Sequence, residues 1–319
     1  MRILHPFRYE RPKSLDEALA ILEKHGAKAA PLAGGTDLIV NMKHRSMLQL
    51  VPGAGTAQAQ WKSAARVPAM ERPEVVVSLS SLAELRGIRK GDGKLRVGPL
   101  VAMAELSRSR DLLPEAGALS DAAGIMGSPL VRNRATVGGN LMNARPAADT
   151  AIAILALGAR LELASRAQRR WEDASAFFTG PGRTVRKPEE LLVAVEMPIG
   201  PCEGSAYVRM GVRRQLEIAI VSAAAWIRLS RDRSTIADAR IALGAVGPTP
   251  ILAPHAAGML AGKAGGPERF AEAARTARGE ARPIDDFRGS AAYRLDLVEA
   301  LVTRALEKAL ARARGEGAP

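Results

Sequence analysis

The chain has 319 residues, 47% hydrophobic and 25% charged, with one cysteine and a formal net charge of +13. The single cysteine, Cys202, excludes a disulfide framework, a multi-cysteine zinc site and a protein-held iron–sulfur cluster within this chain. The charge admits nucleic acid as a partner, but no run of five or more basic residues occurs and aromatics are only 3%, so stacking platforms for bases are scarce.

Arg2–Leu4 reads as a short strand, and Pro6 and Pro12 bracket an extended arm. Ser14-Leu15-Asp16-Glu17 has the capping-box pattern, a hydroxyl acceptor at the N-cap and a carboxylate three residues on. Leu15, Ala18, Leu19 and Leu22 follow at helical spacing, and Gly26 ends the helix. Ala29–Leu32 reads as a strand running into PLAGGTDL at Pro31–Leu38, and Leu38–Lys43 starts a second helix. Residues 49–73, rich in Ala, Gly, Gln and Pro, break this pattern and read as an insertion. Gly53-Ala54-Gly55 is no dinucleotide fingerprint, because Gln58 stands at the third glycine position and no strand leads into it. Val75–Leu79 is a strand, Ile88–Val97 a hairpin turned by Gly91-Asp92-Gly93, and Val101–Ser107 and Pro114–Gly124 are helices.

A second paired glycine lies in ATVGGNLMNARPAADTAIAILALGA at Ala135–Ala159. Glycines without Cβ let the backbone approach a ligand, and their N–H groups can form a concave nest for phosphate. Asp149 stands at the expected N-cap of the apolar run Ala151–Leu157, where it can cap the helix or accept from ligand hydroxyls. One such segment is equally a tight turn that starts a buried helix. Two of them at strand-to-helix turns point to two loops closing on one extended diphosphate. Arg160–Leu163, the stretch toward Trp171 and Glu189–Pro198 are strands. From Gly204 a third unit follows, with strands over Ser205–Val212, Ile218–Leu229 and Ala237–Ala245 and helices over Ala253–Ala261, Pro267–Ala277 and Ala291–Ala311.

AGGTDL at Ala33–Leu38, TVGGN at Thr136–Asn140 and RPAAD at Arg145–Asp149 resemble the FAD-binding medium subunit of the molybdenum hydroxylases, the xanthine dehydrogenase, carbon monoxide dehydrogenase and 4-hydroxybenzoyl-CoA reductase type. The resembled second motif continues S-P-x-x-D, and Arg145 stands here in place of the serine. The resemblance implies an α+β chain: a two-subdomain FAD-binding fold of the PCMH type, then a C-terminal domain with a three-stranded antiparallel sheet and helices. The expected divisions are 1–48, an insertion at 49–73, 74–203 and 204–319.

The same resemblance assigns roles. Leu32, Ala33, Gly34, Gly35, Thr36, Asp37 and Leu38 wrap the FAD diphosphate from one side. Thr136, Gly138, Gly139 and Asn140 wrap it from the other, continued by Met142 and Asn143, with Thr36 and Thr136 offering hydroxyl donors. Asp149 holds a ribose or ribityl hydroxyl, Met126 and Gly127 approach the cleft, and Leu192 packs beside the adenine. Arg209 stands where lysine is common and donates to the flavin or its phosphates; Ile218 lies near the isoalloxazine edge.

The implied cofactor is non-covalent FAD, with molybdenum cofactor and [2Fe-2S] clusters only in partner subunits. The implied partners are a large molybdenum-cofactor subunit and a small [2Fe-2S] subunit, assembled as a dimer of heterotrimers. Electrons arrive from the partner's cluster and leave to an external acceptor. No metal ligand or catalytic residue is expected in this chain, and the missing cysteines exclude a member with an extra cluster of its own. A stand-alone flavin oxidoreductase of the same fold and a basic nucleic-acid-binding scaffold are the competing readings. No apolar run of membrane-spanning length and no signal-peptide h-region follow Met1, so a cytoplasmic chain without membrane insertion is expected.

Overall fold

The computed structural model describes residue 4 and residues 6–43, 73–213 and 215–316. The expected strand at Arg2–Leu4 and the insertion at 49–73 lie outside the described residues, apart from Leu4 and Pro73. The first strand described is Arg8–Glu10 (β1), inside the arm between the two prolines. It joins Ala29–Leu32 (β2) and Val75–Ser78 (β3) in a parallel sheet ordered β1-β3-β2.

The Leu15–His25 helix covers this sheet. Ser14 Oγ accepts from Glu17 N at 3.2 Å, while the Glu17 carboxylate reaches back to the N–H of Lys13 at 2.7 Å, one residue before the expected cap. Gly26, at φ +51°, closes the helix with its N–H on the Leu22 carbonyl. Leu15, Ala18, Leu19 and Leu22 are buried against Val75 and Val77, as the helical spacing requires.

The second unit is a five-stranded antiparallel sheet. Its strands are Ile88–Gly91 (β4), Lys94–Val97 (β5), Arg160–Ala164 (β6), Arg169–Asp173 (β7) and, after the small hairpin Phe178–Gly180 (β8) and Arg183–Thr184 (β9), Leu191–Pro198 (β10). The order is β4-β5-β10-β6-β7. The helix expected over Pro114–Gly124 begins at Gly117 and runs to Ile125, and that over Val101–Ser107 shortens to Met103–Leu106.

The third sheet is Glu203–Met210 (β11), Val221–Leu229 (β12), Ile236–Gly244 (β13) and a two-residue strand, Ile251–Leu252 (β14), beyond the expected three. It is covered on both faces. The Asp149–Ala156 helix, every residue of which is buried, packs on one side, and the Ala291–Arg314 helix packs on the other. Such double burial needs small side chains, and β12 supplies Ala223, Ala224 and Ala225. At Gly204 a Cβ would lie 2.4 Å from the Ala309 carbonyl oxygen, so only glycine admits the long helix this close. Asp121 ties the same helix to the second unit, accepting from Arg312 at 2.8 Å and Lys308 at 2.9 Å. No helix among the described residues is long and apolar enough to cross a membrane.

Candidate FAD site

β2 ends at Leu32, and the chain turns through Ala33–Asp37 into the Leu38–Lys43 helix. The turn depends on Gly35, whose φ of +77° is costly for any residue with a Cβ. The N–H groups of Gly34, Gly35 and Thr36 meet no acceptor among the described residues. Successive free amides around a left-handed glycine form a concave, positively polarised nest that fits an anionic oxygen.

The other glycine pair is differently built. Thr136 is the N-cap of the Val137–Asn143 helix, so Gly138 and Gly139 lie in its first turn rather than in an open loop. Their amides are already used: Gly138 N donates to the Pro99 carbonyl at 2.9 Å, and Gly139 N to Thr136 Oγ1 at 3.2 Å. The expected glycine N–H nest is therefore confined to the first segment. Thr136 keeps its own O–H to donate, because its oxygen only accepts in the cap. A Cβ on Gly138 would stand 2.8 Å from the Pro99 carbonyl oxygen.

The two segments touch. A Cβ on Gly34 would fall 1.9 Å from the Arg134 carbonyl oxygen, so the first turn rests directly on the backbone leading into Thr136. Between them opens a cleft of about 2210 Å³. Ordinary small-molecule sites measure roughly 300–1,000 Å³, so the cleft suits an extended dinucleotide.

Sixteen of the eighteen expected site residues line it: Ala33 to Leu38, Met126, Gly127, Thr136, Gly138 to Asn140, Met142, Asn143, Asp149 and Leu192. The exceptions are Leu32 and Arg209, which the cleft lining does not include. Leu32 instead supports the turn, its Cδ1 lying 3.2 Å from where a Gly35 Cβ would be. Ile218, 54% exposed, stands at the rim.

Arg209 differs from its expected role as a donor to the ligand. Its side chain is 4% exposed and gives Nη1 to Asp149 Oδ1 at 2.9 Å and Nη2 to the Ile125 carbonyl at 2.8 Å. Asp149 in turn is the first helical residue, not the N-cap, which is Ala148. Its Oδ1 also accepts from Tyr207 Oη at 2.6 Å. Burial pushes the Asp149 carboxyl up from its ordinary range, against the pull of Arg209 and Tyr207. A carboxylate has about four acceptor positions, so two protein donors leave capacity for a ligand hydroxyl.

Sequence reasoning missed Tyr207, Pro99 and the wall at Pro181–Arg186. Tyr207 and Arg209 sit two apart on β11 and so share a face, a signal the strand period carries. The wall is held by Arg170, which clamps buried Glu190 at 2.6 and 2.8 Å, and by Arg186, whose Nη1 donates to the Lys187, Pro188 and Glu190 carbonyls. Asn140 Oδ1, accepting from Thr150 Oγ1 at 2.6 Å, links the glycine helix to the buried one.

The residues present fit an FAD: a nest of free amides around the left-handed Gly35, hydroxyl donors and a buried carboxylate all border one cleft. Residues 5–52 and 54–200 match the family described as FAD binding domain in molybdopterin dehydrogenase, and residues 206–309 match the CO dehydrogenase flavoprotein C-terminal domain. The chain is 29% identical over 311 residues to the xanthine dehydrogenase FAD-binding subunit of Escherichia coli O157:H7, covering 97% of each. It is 30% identical to the carbon monoxide dehydrogenase medium chain of Afipia carboxidovorans, covering 97% of this chain and 98% of that one. Among solved structures, a chain of carbon monoxide dehydrogenase from Hydrogenophaga pseudoflava superposes with a TM-score of 0.84 at 30% identity, over 97% of this chain and 99% of that one. Quinoline 2-oxidoreductase from Pseudomonas putida 86 gives 0.80 at 29% identity, over 98% and 99%. With both family models and these relatives spanning nearly the whole chain, the chain is a member of the FAD-binding medium-subunit family of the molybdenum hydroxylases.

Proposed function

We propose that this chain is the electron-transfer flavoprotein subunit of a heterotrimeric molybdenum hydroxylase. It holds FAD non-covalently and works with a large molybdenum-cofactor subunit and a small [2Fe-2S] subunit, the trimer pairing into a dimer. The observation that carries this reading is the contact of Gly34 with the backbone at Arg134, which joins the two glycine segments into one cleft. The reading assigns the clusters and the molybdenum to the partners; the described residues contain no group of three or more His, Cys, Asp or Glu able to hold a metal.

When bound, FAD supplies the coupling of one-electron donors to two-electron acceptors. The chain's residues position it. The amides of Gly34, Gly35 and Thr36 receive the diphosphate, with the Thr36 and Thr136 hydroxyls beside them. Asp149, fixed by Tyr207 and Arg209, accepts from a sugar or ribityl hydroxyl. Met126, Gly127 and Leu192 border the rings, and Met142 and Asn143 continue the loop along the diphosphate. Arg209 acts through Asp149, as a positioning residue.

The test is anaerobic. The purified chain with FAD bound is mixed with candidate purine, aromatic or aldehyde substrates, and flavin bleaching is followed before and after the large and small subunits are added. Slow bleaching alone and fast bleaching in the complex are expected. Rapid bleaching by this chain alone would make it an independent oxidoreductase and overturn the subunit reading.

A further inference from the structure

The carboxylates of the cleft are matched by cations, with one exception. Asp149 pairs with Arg209 at 2.9 Å, Asp286 with Arg294 at 2.6 Å, and Glu217 with Arg213 at 2.8 Å. Asp37 has no ion pair among the described residues, although it lines the cleft directly after the amide nest of Gly34–Thr36. An anionic diphosphate seated on that nest meets the negative charge of Asp37 at close range. Like charges held together in a partly buried site repel unless a cation offsets them.

Arg145 is placed to do so. The Val137–Asn143 helix ends at Ala144 in the left-handed conformation, φ +46°, and this turn returns the chain to the cleft at Arg145. Arg145 lines the cleft, and its guanidinium makes no hydrogen bond or ion pair among the described residues. Burial raises the Asp37 carboxyl, and Arg145 is the charge that acts against this rise. A guanidinium whose donors are unspent among the described residues, in the cleft that Asp37 also lines, is available to a ligand.

We propose that Arg145 is the cationic contact of the FAD diphosphate, and that the same charge offsets Asp37 beneath it. The inference rests on the reading of the cleft as an FAD site. It names the residue that supplies positive charge where the resembled motif carries a neutral serine. Planar guanidinium suits this role, since its fixed donors can engage two phosphate oxygens together.

The experiment titrates the full apo chain with FAD at several salt concentrations, reading flavin fluorescence, for wild type, Arg145→Ser, Arg145→Lys and the double variant Asp37→Asn/Arg145→Ser. Circular dichroism checks that each is folded. Arg145→Ser is expected to weaken binding by about tenfold or more, the weight of one charge-assisted contact. Its affinity should also vary less with salt than that of wild type, because one screened attraction is gone. Arg145→Lys should recover part of both. Unchanged affinity and salt dependence in Arg145→Ser would overturn the proposal. So would wild-type affinity in the double variant, which would confine Arg145 to neutralising Asp37. Failure of the wild-type chain itself to bind FAD would sink the FAD reading instead.

Discussion

Gly34–Gly35 and Gly138–Gly139 are the same dipeptide, the first in the turn before a helix and the second in a helix's first turn, and glycine serves different ends in them. At Gly35 it is conformational: φ is +77°, and the amides of the turn meet no acceptor among the described residues. At Gly138 it is steric: the backbone is helical, its N–H is spent on Pro99, and the missing Cβ lets that carbonyl in. Gly139 is looser, since a Cβ there would touch only Thr136 Oγ1, at 3.1 Å. Gly34 belongs to both kinds, lining the cleft while its bare Cα rests on Arg134. The lesson is that one dipeptide can open a backbone to a ligand or close it against the protein. Only the neighbours distinguish the two.

Substitution should separate these roles. The largest effects are expected where a Cβ meets backbone. Gly34→Ala and Gly138→Ala must displace main chain, and each should cost about 3 kcal/mol, near the upper end for overpacking. Thermal unfolding of the apo chain reads this loss without reference to FAD. A Gly138→Ala variant as stable as wild type would remove the steric half of the comparison.

Gly35→Ala should behave differently. The Cβ meets only the Leu32 and Ile39 side chains, at 3.2 and 3.4 Å, so the cost is mainly that of a left-handed residue, about 1–2 kcal/mol. Its larger consequence is on FAD, because relief of the strain turns the amides out of the nest. A folded Gly35→Ala chain with undiminished flavin content would show that the nest is not the diphosphate site.

Thr136→Ala removes an N-cap and should cost about 1 kcal/mol in apo stability. It also removes a donor O–H from the cleft, so equilibrium dialysis should show weaker FAD retention. The smallest effect concerns pH. Burial raises the Asp37 carboxyl above its ordinary value of 3.8, so the folded state favours the protonated form. The sign follows from linkage: the folded state binds this proton more tightly than the unfolded one, so its contribution is fully present below pH 3.8 and is lost as pH rises through the raised folded value. Asp37→Asn should therefore flatten this part of the apo stability profile and stabilise the apo chain at neutral pH. A variant whose denaturation midpoints track wild type at every pH would show that Asp37 carries no such cost.

Much of the fold was legible because its signals are local. Ser14 and the spacing of Leu15, Ala18, Leu19 and Leu22 specify a capped amphipathic helix whatever lies opposite. The unbroken apolar run after Asp149 specifies a helix buried on all sides, and the runs in β12 and β13 specify strands. The two glycine motifs identified the walls of the cleft, and the resemblance they carry named the family. Tertiary structure decided what each group is bonded to. Asp149 reads as an N-cap from its neighbours, but Tyr207 and Arg209, 58 and 60 residues later, hold its carboxylate. Arg209 reads as a ligand donor, but the nearby Asp149 and Ile125 oxygens consume its guanidinium. Gly138 reads as part of an open nest, but Pro99 takes its amide. The physical reason is common to all three. Periodicity and caps encode hydrogen bonds a few residues apart, whereas a donor's final acceptor depends on how separate sheets stack, which no local pattern contains.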